Sequence, residues 1–237
     1  MIAALMVLAT SSNVLAEGSF ADVSLLGSHV NGAGFKLYDK PLTQSRIGHE
    51  FENGIGGSVW GSLPFESIGK NQGTETDLRM WWHDGAIILG VGYFFISPDG
   101  KRFYDNDVWQ INADVSKDIK LNEIFTISPG LRAEYDMPVK GRYSSQTTGL
   151  YLFYRNILTA KLDKSWQASL AVTFEGDLGG YGAQKALITM ASPGFSYKVN
   201  QNLSVNAGID MYFPVTWQTG DPRGNFYVPK VGISYKW

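Results

Sequence analysis

From about residue 20 onward, large apolar side chains recur at every second position with Gly, Ser, Thr or a charged residue between them. That is the period of a strand with two unlike faces. The run near 203–213 places Leu203, Val205, Ala207, Ile209, Met211 and Phe213 on one face and Ser204, Asn206, Gly208, Asp210 and Tyr212 on the other. The run near 166–175 sets Trp166, Ala168, Leu170, Val172 and Phe174 against Gln167, Ser169, Ala171, Thr173 and Glu175. Taken with Gly, Pro and Asn punctuation, the pattern predicts strands near 20–30, 46–52, 55–64, 74–83, 86–97, 106–116, 123–136, 148–161, 166–175, 186–199, 203–213 and 226–237. Strand two is short and strand one poorly patterned, so ten strands is the alternative count.

The connections carry a second pattern. Those after odd-numbered strands, near 31–45, 65–73, 98–105, 137–147, 176–185 and 214–225, are long and rich in Gly, Pro and polar residues. Those after even-numbered strands are tight: Asn53-Gly54, Asp84-Gly85, Lys117 to Asn122, Leu162 to Ser165, and Asn200 to Asn202. Asn-Gly and Asp-Gly are strong hairpin signals because both tolerate positive φ. A β-sandwich has no reason to sort its loops by parity, whereas a transmembrane barrel with short turns at one rim and long loops at the other does. Lipid also demands a closed sheet, since an open edge leaves backbone groups unpaired. The fold class expected is therefore all-β, a transmembrane antiparallel up-and-down barrel over 17–237.

Composition agrees. Only 18% of the residues are charged, 14% are aromatic and 27 are Gly. The absence of Cys excludes a disulfide scaffold and thiolate chemistry. A net charge of -2 gives no basic footprint for nucleic acid. The mean hydropathy of -0.11 is what half-apolar strands produce on average, so it does not argue against a membrane. Residues 1–16 begin with an apolar run and reach Val14-Leu15-Ala16 before Glu17, which fits a cleavable signal peptide, although no Lys or Arg precedes the run.

The last strand, Val231-Gly232-Ile233-Ser234-Tyr235-Lys236-Trp237, alternates strictly and closes on an aromatic pair. It resembles the final strand of bacterial outer-membrane barrels, which implies contact with outer-membrane lipid and recognition by the barrel assembly machinery. Tyr235 and Trp237 are the expected membrane-interface aromatics. Between Leu26 and Pro98 stand Gly34-Phe35, Asp39-Lys40-Pro41, Asn53-Gly54, Val59-Trp60-Gly61-Ser62 and Glu75-Thr76-Asp77, followed by an apolar strand ending near Tyr93. This set resembles the TorF-like porin family of outer-membrane barrels. Ala33 departs from it where the family often has Arg, so no role for that Arg transfers.

Candidate chemistry is sparse. Of the three His, none has Ser two residues on: His29 leads to Asn31, His49 to Phe51 and His83 to Gly85. A strand-borne Ser–His pair sharing one face would need that spacing. Glu50 with Glu52, Glu75 with Asp77, and Arg132 with Glu134 share faces by period two, as a proton-sharing carboxylate site would require. A charged lumen explains them better, because Arg79, Arg155, Lys161, Lys230 and Lys236 fall on the same inward faces. The expected inner wall thus comprises Glu50, Glu52, Trp60, Glu75, Asp77, Arg79, Trp81, Asp114, Arg132, Glu134, Arg155, Asp210 and Lys230, with Tyr151 and Phe153 as further inward aromatics. Asp99, Asp105 and Asp107 faintly suggest calcium ligands, but the loop lacks the Gly and final Glu of an EF-hand, and a solvated loop is the better reading. No cofactor is expected. The function expected is passive diffusion of small polar solutes; the alternatives are a barrel enzyme acting on lipid or peptide and a non-conducting structural or adhesive barrel.

Overall fold

The computed structural model describes residues 18–30, 36–38, 40–65, 73–98, 107–139, 149–177, 186–216 and 225–237. The expected signal peptide, the Gly34-Phe35 and Asp39 elements of the family motif, and Asp99 and Asp105 lie outside the described residues. Twelve strands form the wall: β1 (Gly18–Leu26), β2 (Leu42–Glu50), β3 (Ile55–Pro64), β4 (Gly73–Asp84), β5 (Ile87–Pro98), β6 (Val108–Ser116), β7 (Phe125–Pro138), β8 (Gly149–Lys161), β9 (Trp166–Asp177), β10 (Ala186–Lys198), β11 (Leu203–Thr216) and β12 (Phe226–Lys236). Each pairs antiparallel with its chain neighbours, and β1 pairs with β12, so the sheet closes into an all-β, up-and-down barrel of twelve strands.

Two boundaries differ by four residues from the sequence pattern. β1 ends at Leu26; the next residue, Gly27, still donates its N–H to the Pro229 carbonyl, and beyond it His29–Val30 pairs with Lys36–Tyr38 in a separate small ribbon. β2 runs over 42–50 rather than 46–52. Its ladder stops because Phe51 N–H bonds the Ile55 carbonyl and Gly54 N–H bonds the Phe51 carbonyl, which folds 51–54 into a turn. Glu52 is therefore an exposed turn residue and not part of the inner wall, and its expected pairing with Glu50 is lost.

Four of the five short connections share a device. The side chains of Asn53, Asn122, Asp163 and Asn200 each accept a backbone N–H two residues on, at 3.1, 2.9, 2.6 and 2.8 Å, and the last three also accept the next N–H. Each Asx turn supplies a ready-made reversal between two strands. The two N–H donors hold the Asp163 carboxyl below the usual carboxylate range. Gly54 has φ +77°, and a Cβ there would lie 2.1 Å from the His83 carbonyl oxygen. Gly54→Ala is expected to cost about 1–3 kcal/mol, read as a lowered urea midpoint of the refolded barrel.

The outer face is apolar in its middle, with Val23, Ile47, Val59, Leu78, Leu89, Ile111, Leu131, Leu158, Ile209 and Ile233 exposed. Aromatic pairs flank that band. Trp166–Tyr197 and Tyr235–Trp237 lie toward the short turns, with ring centroids 4.8 and 5.5 Å apart, and Tyr93–Trp109 and Tyr154–Phe174 lie toward the long connections, at 4.7 and 6.3 Å. An apolar band between two aromatic girdles is the surface that a bilayer selects.

Candidate functional site

Inside the barrel, period two and the strand register bring most of the expected wall residues into one network. β4 presents Asp77, Arg79 and Trp81 inward, and β7 presents Arg132, Glu134 and Asp136. Arg79 is the hub. Its guanidinium lies 3.0 Å from Asp77 and 3.8 Å from Glu134, and it donates to Gln110 Oε1 at 2.8 Å and Asn112 Oδ1 at 3.5 Å. Gln110 Nε2 then donates to Glu134 and Asp136, each at 3.2 Å. Arg132 bonds Glu134 directly and lies 3.8 Å from Asp114, whose other oxygen accepts from Asn112.

Strand β5 makes this reach across the wall achievable. Its inner face reads Gly90, Gly92 and Phe94 between β4 and β6. A Cβ at Gly92 would stand 3.3 Å from the Arg79 guanidinium, and one at Gly90 only 2.6 Å from Asn112 Oδ1. The two glycines leave the gap through which β4 side chains meet those of β6. The small inner face of β5 is thus a packing requirement of the network.

Toward the short turns, Trp81 Nε1 donates to Glu50 Oε2 at 2.7 Å, and His83 Nδ1 lies 3.2 Å from the other Glu50 oxygen. The Trp81 ring lies over Gly56, where a Cβ would stand 2.4 Å from it. Arg46 on β2 stacks over Phe20 at 4.9 Å and Trp81 at 5.8 Å and donates to Ser58 at 3.3 Å. Trp60 is half-buried, in register with Arg46 on one side and Asp77 on the other. Arg155 on β8 feels the charges of Asp114 and Arg132. Four guanidinium groups (Arg46, Arg79, Arg132 and Arg155) are therefore interleaved with Asp77, Asp114, Glu134 and Asp136, and the two signs do not separate into opposed walls.

Three expected wall residues stand outside this network. Glu75 is buried on β4 and accepts from Ser62 at 3.4 Å. Asp210 on β11 and Lys230 on β12 form their own ion pair at 2.6 Å, across the barrel from the Arg79 hub. The sequence reading missed Arg46, Gln110, Asn112 and Asp136. Extending the inner faces of Asp114 and Glu134 by one and two period-two steps would have found Asn112, Gln110 and Asp136. Asp107 departs from the solvated-loop reading, since it is fully buried and accepts the Tyr93 hydroxyl.

A Ser–His contact does exist: Ser19 Oγ lies 2.9 Å from His49 Nδ1. Both residues are on the lipid-facing side, in register across β1 and β2, and no carboxylate bonds His49 among the described residues. No cluster of three metal-ligating side chains occurs among the described residues.

No family model and no curated protein matches the chain. Solved structures do. The COG4313 outer-membrane channel from Pseudomonas putida F1 aligns over 94% of this chain and 97% of its own, with TM-score 0.58 at 10% identity. The transport unit of the autotransporter AIDA-I from Escherichia coli aligns over 96% and 93%, with TM-score 0.57 at 11% identity. The NanC porin aligns over 93% and 100%, with TM-score 0.55 at 11% identity. At such identities the likeness is one of fold, and the fold is that of the bacterial outer-membrane β-barrels to which these porins and channels belong.

Proposed function

We propose that the protein is a channel of the bacterial outer membrane for passive diffusion of small hydrophilic solutes, a porin of the TorF-like kind, with residues 1–16 as its cleavable leader. The observation that carries this reading is the inner wall itself: a closed apolar-coated barrel holding a network of Arg, Asp, Glu, Gln and Asn that runs from β2 to β8. A barrel kept shut only for strength fills its interior more cheaply with apolar side chains, since each buried charge must find a partner. The interleaved signs imply weak charge selectivity. The shared fold with the NanC porin and the Pseudomonas channel supports the same reading. Purified, heat-modifiable protein is expected to give stepwise conductance in planar bilayers or sugar-driven swelling of liposomes. A folded barrel that gives neither overturns the proposal.

The enzyme reading rests on Ser19 and His49 alone. Among the described residues no carboxylate orients the imidazole, and the pair stands on the wall's outer face at the short-turn rim, so we assign the protein no catalytic role. Phospholipid hydrolysis that disappears in His49→Ala would reverse that assignment.

A further inference from the structure

The inner wall is not polar along its whole length. Toward the long connections, Leu26 on β1, Leu42 on β2, Tyr212 on β11 and Val228 on β12 form one buried cluster, none more than 5% exposed, with Met190 of β10 and Phe226 of β12 packed against it. Leu26 pairs directly with Leu42, Met190 with Tyr212, and Tyr212 with Phe226, whose rings stack at 4.6 Å and 10°. An unbroken apolar arc therefore covers five neighbouring strands. Across the barrel and at the same end, Phe94, Val108 and Tyr151 are inward and buried on β5, β6 and β8, beside the inward Asp77, Gln110 and Glu134 of the charged network. Toward the short turns the arc's own strands carry Asp22, Arg46, Ser204 and Ser234 on the inner face instead.

We infer that this apolar belt is the constriction that decides what passes, and that it favours small neutral solutes joining an apolar face to a hydroxyl group. The inference rests on the channel reading and narrows it. A hydrated ion passing along the arc must give up water on that side and receives no polar group from the arc in return. An apolar face loses nothing there. Just beneath the belt the wall offers an acceptor. Asp210, two residues before Tyr212 on the same face, gives one oxygen to Lys230, while its Oδ2 is buried without a partner. Ser192 Oγ on β10 is likewise buried without a partner. The β10–β11 ladder omits the rungs at Ser192 and Pro193, so this polar pair borders a gap in the wall's own hydrogen bonding. The Lys230 ammonium neutralises the carboxylate, which suits a neutral donor rather than a cation.

Single-channel conductance in KCl, with heat modifiability confirming folded barrel in each sample, tests the belt. Wild type is expected to open in small steps, and Leu42→Ser and Val228→Ser to raise the unitary conductance at least threefold. Equal conductance in all three overturns the constriction and leaves the channel intact; silence in all three, with no solute flux, strikes the channel reading itself. Liposome swelling tests the solute class. Phenyl glucoside, an apolar ring bearing hydroxyls, is expected to enter through wild type at least as fast as the smaller arabinose, and the order to reverse in Leu42→Ser. Arabinose entering faster through wild type overturns the class.

Discussion

A chain lacking Tyr235, Lys236 and Trp237 is expected to reach the periplasm but to insert as folded barrel at a small fraction of the wild-type level. These residues hold the seam where the first strand meets the last. Ser19 N–H donates to the Trp237 carbonyl at 2.9 Å and Trp237 N–H to the Ser19 carbonyl at 3.0 Å. Lys236 N–H reaches the Asn202 carbonyl at 3.0 Å, and the Asn202 side chain returns a bond to the Lys236 carbonyl at 2.5 Å. At about 1 kcal/mol each, two lost hydrogen bonds at the one seam that local hairpins cannot zip, with two more between β12 and the start of β11, amount to a large share of a marginal stability. The Tyr235–Trp237 pair adds its interfacial anchoring, and its loss would also remove the segment we propose as the mark read by the assembly machinery. Heat modifiability in the membrane fraction reports the result; a normal level of the compact, heat-modifiable form would contradict it. Trp237→Phe, which keeps an aromatic ring and every backbone bond, is expected to insert nearly as wild type.

What the sequence made legible follows the range of the forces involved. The twelve strands and their alternating loops are local: a period of two and an Asx turn need only neighbouring residues, and Asn53, Asn122, Asp163 and Asn200 advertise their turns by type alone. The inward set was readable too, because Arg79, Arg132, Glu134, Asp210 and Lys230 have no place on a lipid face. Glu52 failed because one shifted turn moves a residue off the wall, and only the Phe51–Ile55 hydrogen bond shows where β2 stops.

The apolar belt lay beyond reach for a different reason. Phe226 and Val228 alternate with Tyr227 and Pro229, so both faces of that stretch are apolar and the pattern cannot say which looks inward. Leu42 stands alone ahead of Thr43, Gln44 and Ser45, with no alternation to continue. Their meeting with Tyr212 depends on the closure of β12 onto β1, a contact between the two ends of the described chain. The Arg79 network has the same character, since Arg79 meets Gln110 only because Gly92 on the intervening strand leaves room.

The Asp210–Lys230 pair permits a sharper test of how charge is held inside this wall. Asp210 is 0% exposed, Lys230 is its one bonded cation among the described residues, and Lys230 is itself mostly buried. Lys230→Met keeps the length of the side chain and removes the charge, leaving a carboxylate with neither oxygen paired. Breaking a buried pair in this way is expected to cost about 3–5 kcal/mol, because the remaining ion keeps its desolvation penalty and loses the attraction that offset it. The double variant Lys230→Met/Asp210→Leu removes both charges and places apolar atoms beside Tyr212 and Val228, extending the existing cluster downward. It is expected to lie within about 1 kcal/mol of wild type, so that the second substitution restores most of what the first removed. Urea unfolding of barrels refolded into lipid vesicles, followed by the fluorescence of the chain's 7 Trp, measures all four corners of the cycle. A Lys230→Met barrel as stable as wild type would mean that water reaches Asp210 from the lumen and does the work of the ammonium. In that case the wall at β11 and β12 is wetter than its burial implies, and the apolar belt above it does not seal the passage at rest.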